Sequence, residues 1–133
     1  MDLKKFKEST PRIKIIQKIY NSLMNPDAKI EYPNSQYKKF IKDVVTGTLE
    51  RLDLIEEKIN LHLSKDIDLL KTDKLLKIIL FAAIYELIFK HSTPKKVIIN
   101  EYLLASEHFL EKIQIGYLNA ILDKIAKELR KEE

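Results

Sequence analysis

The side chains that could carry covalent or metal chemistry are few, and their spacing argues against it. His62, His91 and His108 stand far apart, and none belongs to a His-Glu-x-x-His or closely spaced His-His pattern of the kind that holds zinc. Glu56 and Glu57 are adjacent, so on a helix their carboxylates point in different directions, while Asp66 and Asp68 fall in a predicted loop; solvated charges account for both pairs. Ser64, Ser92 and Ser106 lack a flanking nucleophile motif. With two isolated glycines, Gly47 and Gly116, the chain cannot build a Gly-rich phosphate cradle. The absence of cysteine removes thiolate catalysis, CxxC redox chemistry and cysteine zinc sites, and fits a reducing compartment. We therefore expect no enzyme, no cofactor and no metal.

What remains is charge. The net charge is +4, and residues 1–20 hold six basic groups (Lys4, Lys5, Lys7, Arg12, Lys14, Lys18) against two acidic ones (Asp2, Glu8). The rest of the chain balances, with eighteen groups of each sign. A neutral body with one basic end suits a patch for phosphates or another acidic surface. A solvated tail is the alternative reading of the same pattern.

Two amides stand inside apolar stretches, Asn100 near Val97, Ile98 and Ile99, and Asn119 near Leu118, Ile121 and Leu122. A buried amide costs a few kcal/mol unless its hydrogen bonds are met. Asn100 and Asn119 are therefore expected at defined places in a helix-helix packing.

The elements that would position these groups are helical. At 133 residues the chain suits one domain with a core of its own. Ser9-Thr10-Pro11 reads as a helix start, followed by Ile13, Ile16, Tyr20 and Leu23 on one face with Lys14 and Lys18 off it, ending near Met24 before Asn25-Pro26. Residues 26–34 read as a loop. An apolar stripe then runs from about 36 to 63 and contains Gly47, for which close helix packing is the expected reason. Residues 64–68 predict a short helical turn, and Thr72-Asp73 opens the most hydrophobic helix, ending around Lys90. Its apolar residues are not confined to one stripe, as expected of a helix covered on several sides. Thr93-Pro94 starts a helix to about His108, and another is predicted from about Ile113 to Arg130, with Tyr117, Leu118, Ile121, Leu122 and Ile125 facing inward. The longest apolar run, counted from Leu75, would span only about 22 Å as a helix against a hydrocarbon core of about 30 Å. No signal peptide precedes it, so a cytoplasmic protein without a membrane span is expected.

Several of these blocks, in order, resemble the NusB family of transcription antitermination proteins. Arg12-Ile13-Lys14-Ile15-Ile16-Gln17-Lys18-Ile19-Tyr20 is similar to the family's first helix, and Ala83-Ile84-Tyr85-Glu86-Leu87 to its Ala-Leu-Tyr-Glu-Leu helix. Pro94-x-Lys96-Val97-x-Ile99-Asn100-Glu101, then Phe109, then Leu118-Asn119-x-Ile121-Leu122-Asp123-Lys124 complete the set. The resemblance implies an all-α fold, a compact helical bundle of about six or seven helices in two packed subdomains, about 1–64 and 65–133. It implies a protein that binds boxA-type leader sequence of ribosomal RNA together with NusE, a small-subunit ribosomal protein, within the RNA polymerase antitermination complex; some members of the family form homodimers.

Under that resemblance Lys4, Lys5, Lys7 and Arg12 would supply cations for phosphates, and Tyr20 and Tyr117 occupy aromatic positions that could stack on bases, with packing as the alternative for each ring. Asn100, Glu101 and Asn119 are the best-matched polar residues and are expected to be structural, tying helices together. The chain departs from the family pattern at Glu8-Ser9-Thr10, where arginines are usual, and at Leu76, Phe81 and Gly116, where acidic or basic residues are common. The departures at Glu8, Phe81 and Gly116 motivate a second reading, a helical protein-interaction module with weak or lost RNA binding. A third is the helical RNA-binding domain attached to some ribosomal-RNA cytosine methyltransferases, although the chain has no room for the catalytic domain.

Overall fold

The computed structural model describes the backbone of residues 3–131 and the side chains of residues 11–131. Among the described residues it comprises seven α-helices, α1 (Leu3–Met24), α2 (Lys38–Glu50), α3 (Leu52–His62), α4 (Ile67–Thr72), α5 (Lys74–Phe89), α6 (Lys95–Ser106) and α7 (Lys112–Leu129), with one 3-10 turn at Ser64–Asp66 and no strand. None of these helices is long and apolar enough to cross a membrane.

The arrangement follows from α5. Its sequence is apolar on every side, so no single neighbour can cover it, and the other six helices all pack against it. Leu76 and every residue from 78 to 87 are buried. At about 1.5–3 kcal/mol for each large apolar side chain taken out of water, this helix holds the largest share of the driving force. The amphipathic helices supply the surrounding layer: Ile13, Ile15, Ile16 and Ile19 from α1, Ile41, Val44 and Val45 from α2, Ile98, Tyr102 and Ala105 from α6, and Leu118, Ile121, Leu122 and Ile125 from α7 join one core.

Both ends of α5 are fastened by side chains. At its start the Asp73 carboxylate accepts from the Leu76 N–H at 3.0 Å, which satisfies one of the orphan donors of the first turn. The other Asp73 oxygen accepts from Gln114 Nε2 at 2.7 Å, and Gln114 Oε1 in turn accepts from the Glu111 N–H at 2.8 Å in the capping box of α7. One amide thus joins the starts of two helices. At the far end Arg130, 5% exposed, donates to the carbonyls of Leu87 (2.8 Å), Glu86 (3.2 Å), Lys90 (2.9 Å) and Thr93 (2.5 Å). A fixed cation beside the last carbonyls of a helix also answers its macrodipole.

The structure corrects four expectations. α1 begins at Leu3, so Ser9-Thr10-Pro11 lies inside the helix rather than at its start. The stripe of 36–63 is two helices, broken at Arg51 (φ −118°, ψ 27°), whose N–H reaches back to Gly47 and Thr48 while its carbonyl opens α3. The apolar period survives that one-residue break, which is why it reads as a single helix. Asn100 and Asn119 are exposed, not buried. Asn100 lies two residues from both Ile98 and Tyr102, on the opposite side of α6, and its apolar neighbour Val97 is itself 43% exposed. Tyr117, expected to face inward with Leu118, is 51% exposed. Asn100 and Asn119 therefore do not tie helices together from within the core.

Candidate nucleic-acid interface

On α1 the residues Gln17, Tyr20 and Asn21 share one face, being three and four positions apart. That face meets the start of α5 and the segment after α6. Ile16, Gln17, Tyr20 and Asn21 on one side, Lys74 and Leu75 on another, and Phe109 on a third line a groove of about 520 Å³. Tyr20 is 39% exposed within it. The lining combines an open aromatic ring, two amides able to pair with base edges and a lysine able to meet a phosphate, which is the set of contacts single-stranded RNA uses. A smaller groove of about 260 Å³ shares Lys74 and continues over Leu23, Met24, Leu52, Glu56, Lys77, Ile78 and Phe81. Tyr117 stands on α7, whose first turn is fixed to the same end of α5 through Gln114 and Asp73.

Arg12 serves a different role from the phosphate cation expected of it. Its guanidinium donates from Nε to Glu86 Oε2 at 3.2 Å and from Nη2 to Oε1 at 2.8 Å, with the Glu86 side chain wholly buried and that of Arg12 12% exposed. The Tyr102 hydroxyl donates to the same Oε2, and the rings of Phe40 and Tyr102 flank the guanidinium at 4.7 and 5.9 Å. Burial on its own would lower the pKa of Arg12, but the Glu86 hydrogen bonds and charge, with smaller help from Tyr102 and Glu101, hold it above its ordinary value. Burial first, and then the Glu86 charge, push the Tyr102 hydroxyl well above the usual tyrosine range. This cluster joins α1, α2, α5 and α6 and is an anchor of the scaffold. Glu101, half-buried, adds its negative charge to the surroundings of Arg12.

The structure thus brings Tyr20 into a groove, leaves Tyr117 open on α7, and turns Arg12 inward. Lys4, Lys5 and Lys7 lie outside the residues whose side chains are described, as does Glu8. Of the departures from the family pattern, Leu76 and Phe81 are buried members of the core and Gly116 faces open space. Gln17, Asn21, Lys74 and Phe109 were not among the expected site residues; the spacing of Gln17 and Asn21 about Tyr20 on one helix face is the signal that marks the first two. Among the described residues no group of His, Cys, Asp or Glu could hold a metal ion.

Comparison with known proteins agrees with this architecture. The NusB family model matches residues 4–127. The transcription antitermination protein NusB of Rickettsia akari (strain Hartford) is 40% identical over 103 residues, which cover 77% of this chain and 64% of that protein. Its counterpart in Rickettsia massiliae (strain Mtu5) is 39% identical over 100 residues, covering 75% and 62%. The matched part therefore spans a little under two thirds of the length of these curated relatives. Among solved structures, T. maritima NusB superposes with a TM-score of 0.76 over 91% of both chains at 23% identity, a likeness of fold.

Proposed function

Because the chain belongs to the NusB family, we propose that it is a transcription antitermination factor that binds boxA-type RNA of ribosomal leaders together with NusE, in the cytoplasm, and thereby helps RNA polymerase resist termination. The groove formed by Gln17, Tyr20, Asn21, Lys74, Leu75 and Phe109 carries this reading, because it offers a ring, amides and a cation at one opening. In this reading Tyr20 stacks on one base and Tyr117 on another, Lys4, Lys5 and Lys7 approach the phosphates, and Arg12 acts from within by fixing α1 against α5. The division near residue 64 into two helical subdomains belongs to the same proposal.

The test is a fluorescence-anisotropy titration of boxA and scrambled RNA, each with and without NusE. Replacing Tyr20 by alanine removes one stacked base, a loss of about 1–3 kcal/mol or roughly 5- to 150-fold in affinity. Equal affinity for the two RNAs in the presence of NusE would sink the proposal.

One observation favours a second reading, a protein-interaction module with weak RNA binding. The arginine that matches the family's basic opening is tied to Glu86 and is not open to a phosphate. Copurification with a protein and no nucleic acid would support that reading.

A further inference from the structure

Away from the Tyr20 groove, a second face of α1 gathers positive charge. Lys14 and Lys18 stand one turn apart on α1, and Lys38 and Lys42 one turn apart on α2. The connecting segment places Tyr32 between the two helices. Lys18 Nζ lies 5.4 Å from the centre of the Tyr32 ring and Lys42 Nζ 5.9 Å from it. Lys14, Lys18 and Lys38 line one small hollow with Tyr32, Pro33 and Ser35.

Like charges brought together from two helices repel unless something answers them. Lys18 donates to the Glu31 carbonyl at 2.6 Å and Lys38 to Asn34 Oδ1 at 3.1 Å, both neutral acceptors. The nearest acidic residue of α2, Asp43, is engaged at 3.7 Å by Lys90. Among the described residues none of the four lysines is paired with a carboxylate, and Glu31, which meets Lys18 through its carbonyl, is exposed. Lys18, Lys38 and Lys42 are thus held in place by a ring and by uncharged oxygens, with their charge left over for a ligand.

We infer that Lys14, Lys18, Lys38 and Lys42, arrayed about Tyr32, form a second binding face for the phosphodiester backbone of single-stranded RNA, on the side of α1 away from Tyr20. The inference rests on the RNA-binding reading above and extends it: the strand that enters the groove on one face of α1 is held by its phosphates on the other. RNA is favoured over other polyanions because the face lies on the same helix as the groove, so one strand can reach both. The side chains are flexible point charges around a ring that is itself covered by lysines, which suits backbone contact without base readout.

The experiment compares the full chain with Lys38→Gln/Lys42→Gln and with Lys38→Arg/Lys42→Arg, using a fluorescein-labelled oligouridylate titrated at several salt concentrations. Each phosphate contact to a single strand contributes about 0.7 to the slope of log affinity against log salt, so the glutamine variant should show a slope shallower by about 1.4. The arginine variant should keep the original slope. A control change at Lys71, which is exposed on α4, should leave the slope as it was. All variants should melt with the parent by circular dichroism. If the parent binds the oligomer and the glutamine variant binds with an unchanged slope, this inference falls while the RNA-binding reading stands. If the parent binds boxA RNA with NusE but not the oligomer, this inference alone falls; if it binds neither, both fall. If RNA binding is unchanged but phosphatidylserine vesicles retain the parent and release the glutamine variant, the face belongs to a lipid surface and the inference is overturned.

Discussion

A carboxylate without access to solvent is stable only when its charge is answered nearby, and Glu86 is answered by Arg12 and Tyr102. Removing one partner of such a pair leaves the other buried and alone. Arg12→Ala should therefore lower the free energy of unfolding by about 3–5 kcal/mol, measured by urea denaturation, whereas the paired change Arg12→Met/Glu86→Leu should recover most of that loss. The Tyr102 hydroxyl gives a pH signature. Its pKa in the folded protein lies well above that of the unfolded chain, so the folded state keeps a proton that the unfolded state releases above about pH 10. Stability from this group is complete below the unfolded value and declines as pH rises beyond it. Tyrosinate absorbance from Tyr102 should appear only with unfolding, and Tyr102→Phe should remove that step from an alkaline titration. In the sequence Glu86 was visible as one letter of a family block and Arg12 as a candidate phosphate cation, with nothing to join the two. The long-range pairing that makes them partners spans 74 residues, and no local period encodes it. Asn100 and Asn119 failed in the opposite sense, since apolar letters around an amide do not establish that its own face is covered.

Several element boundaries were legible to within a residue or two. Asp73 caps α5, Thr93-Pro94 precedes α6, and the start of α7 is closed by its own capping box. Where tertiary packing decides, as at the break after Glu50 or along α1 through Pro11, the sequence has no corresponding mark. The two glycines separate local propensity from packing in one experiment. A Cβ on Gly47 would penetrate the ring of Tyr85, which lies directly on the α2 backbone, so Gly47→Ala should destabilise by about 1–3 kcal/mol even though alanine favours the helix. A Cβ on Gly116 meets nothing within 4 Å, so Gly116→Ala should stabilise by about 0.5–1 kcal/mol. Thermal or chemical denaturation of the two variants should move in opposite directions. A shift of the same sign in both would remove the close approach of α2 to α5 as the reason for Gly47.

For the whole molecule, the buried residues of α1 to α7 form one cluster, and α1 packs directly on α6 across the proposed subdomain division. Unfolding should therefore follow a single cooperative transition, with far-ultraviolet circular dichroism and tyrosine fluorescence superimposing in urea. Two separated transitions would mean that each half holds its own core. The general plan, an all-helical bundle about one apolar helix, was readable because α5 lacks a polar face; the groove was not, because it is made by Tyr20, Lys74 and Phe109 from three separate stretches. Residues 78–87 of α5 are buried, with only the edges of Ile78 and Phe81 reaching a groove. A partner can gain or lose affinity through the first turn of α5, the peripheral helices and the segments between them, so recognition can be rewired there while the hub stays as it is. The same enclosure means that a damaging change in those ten positions would silence every interaction at once, and a binding screen would register as a contact what is a loss of the fold.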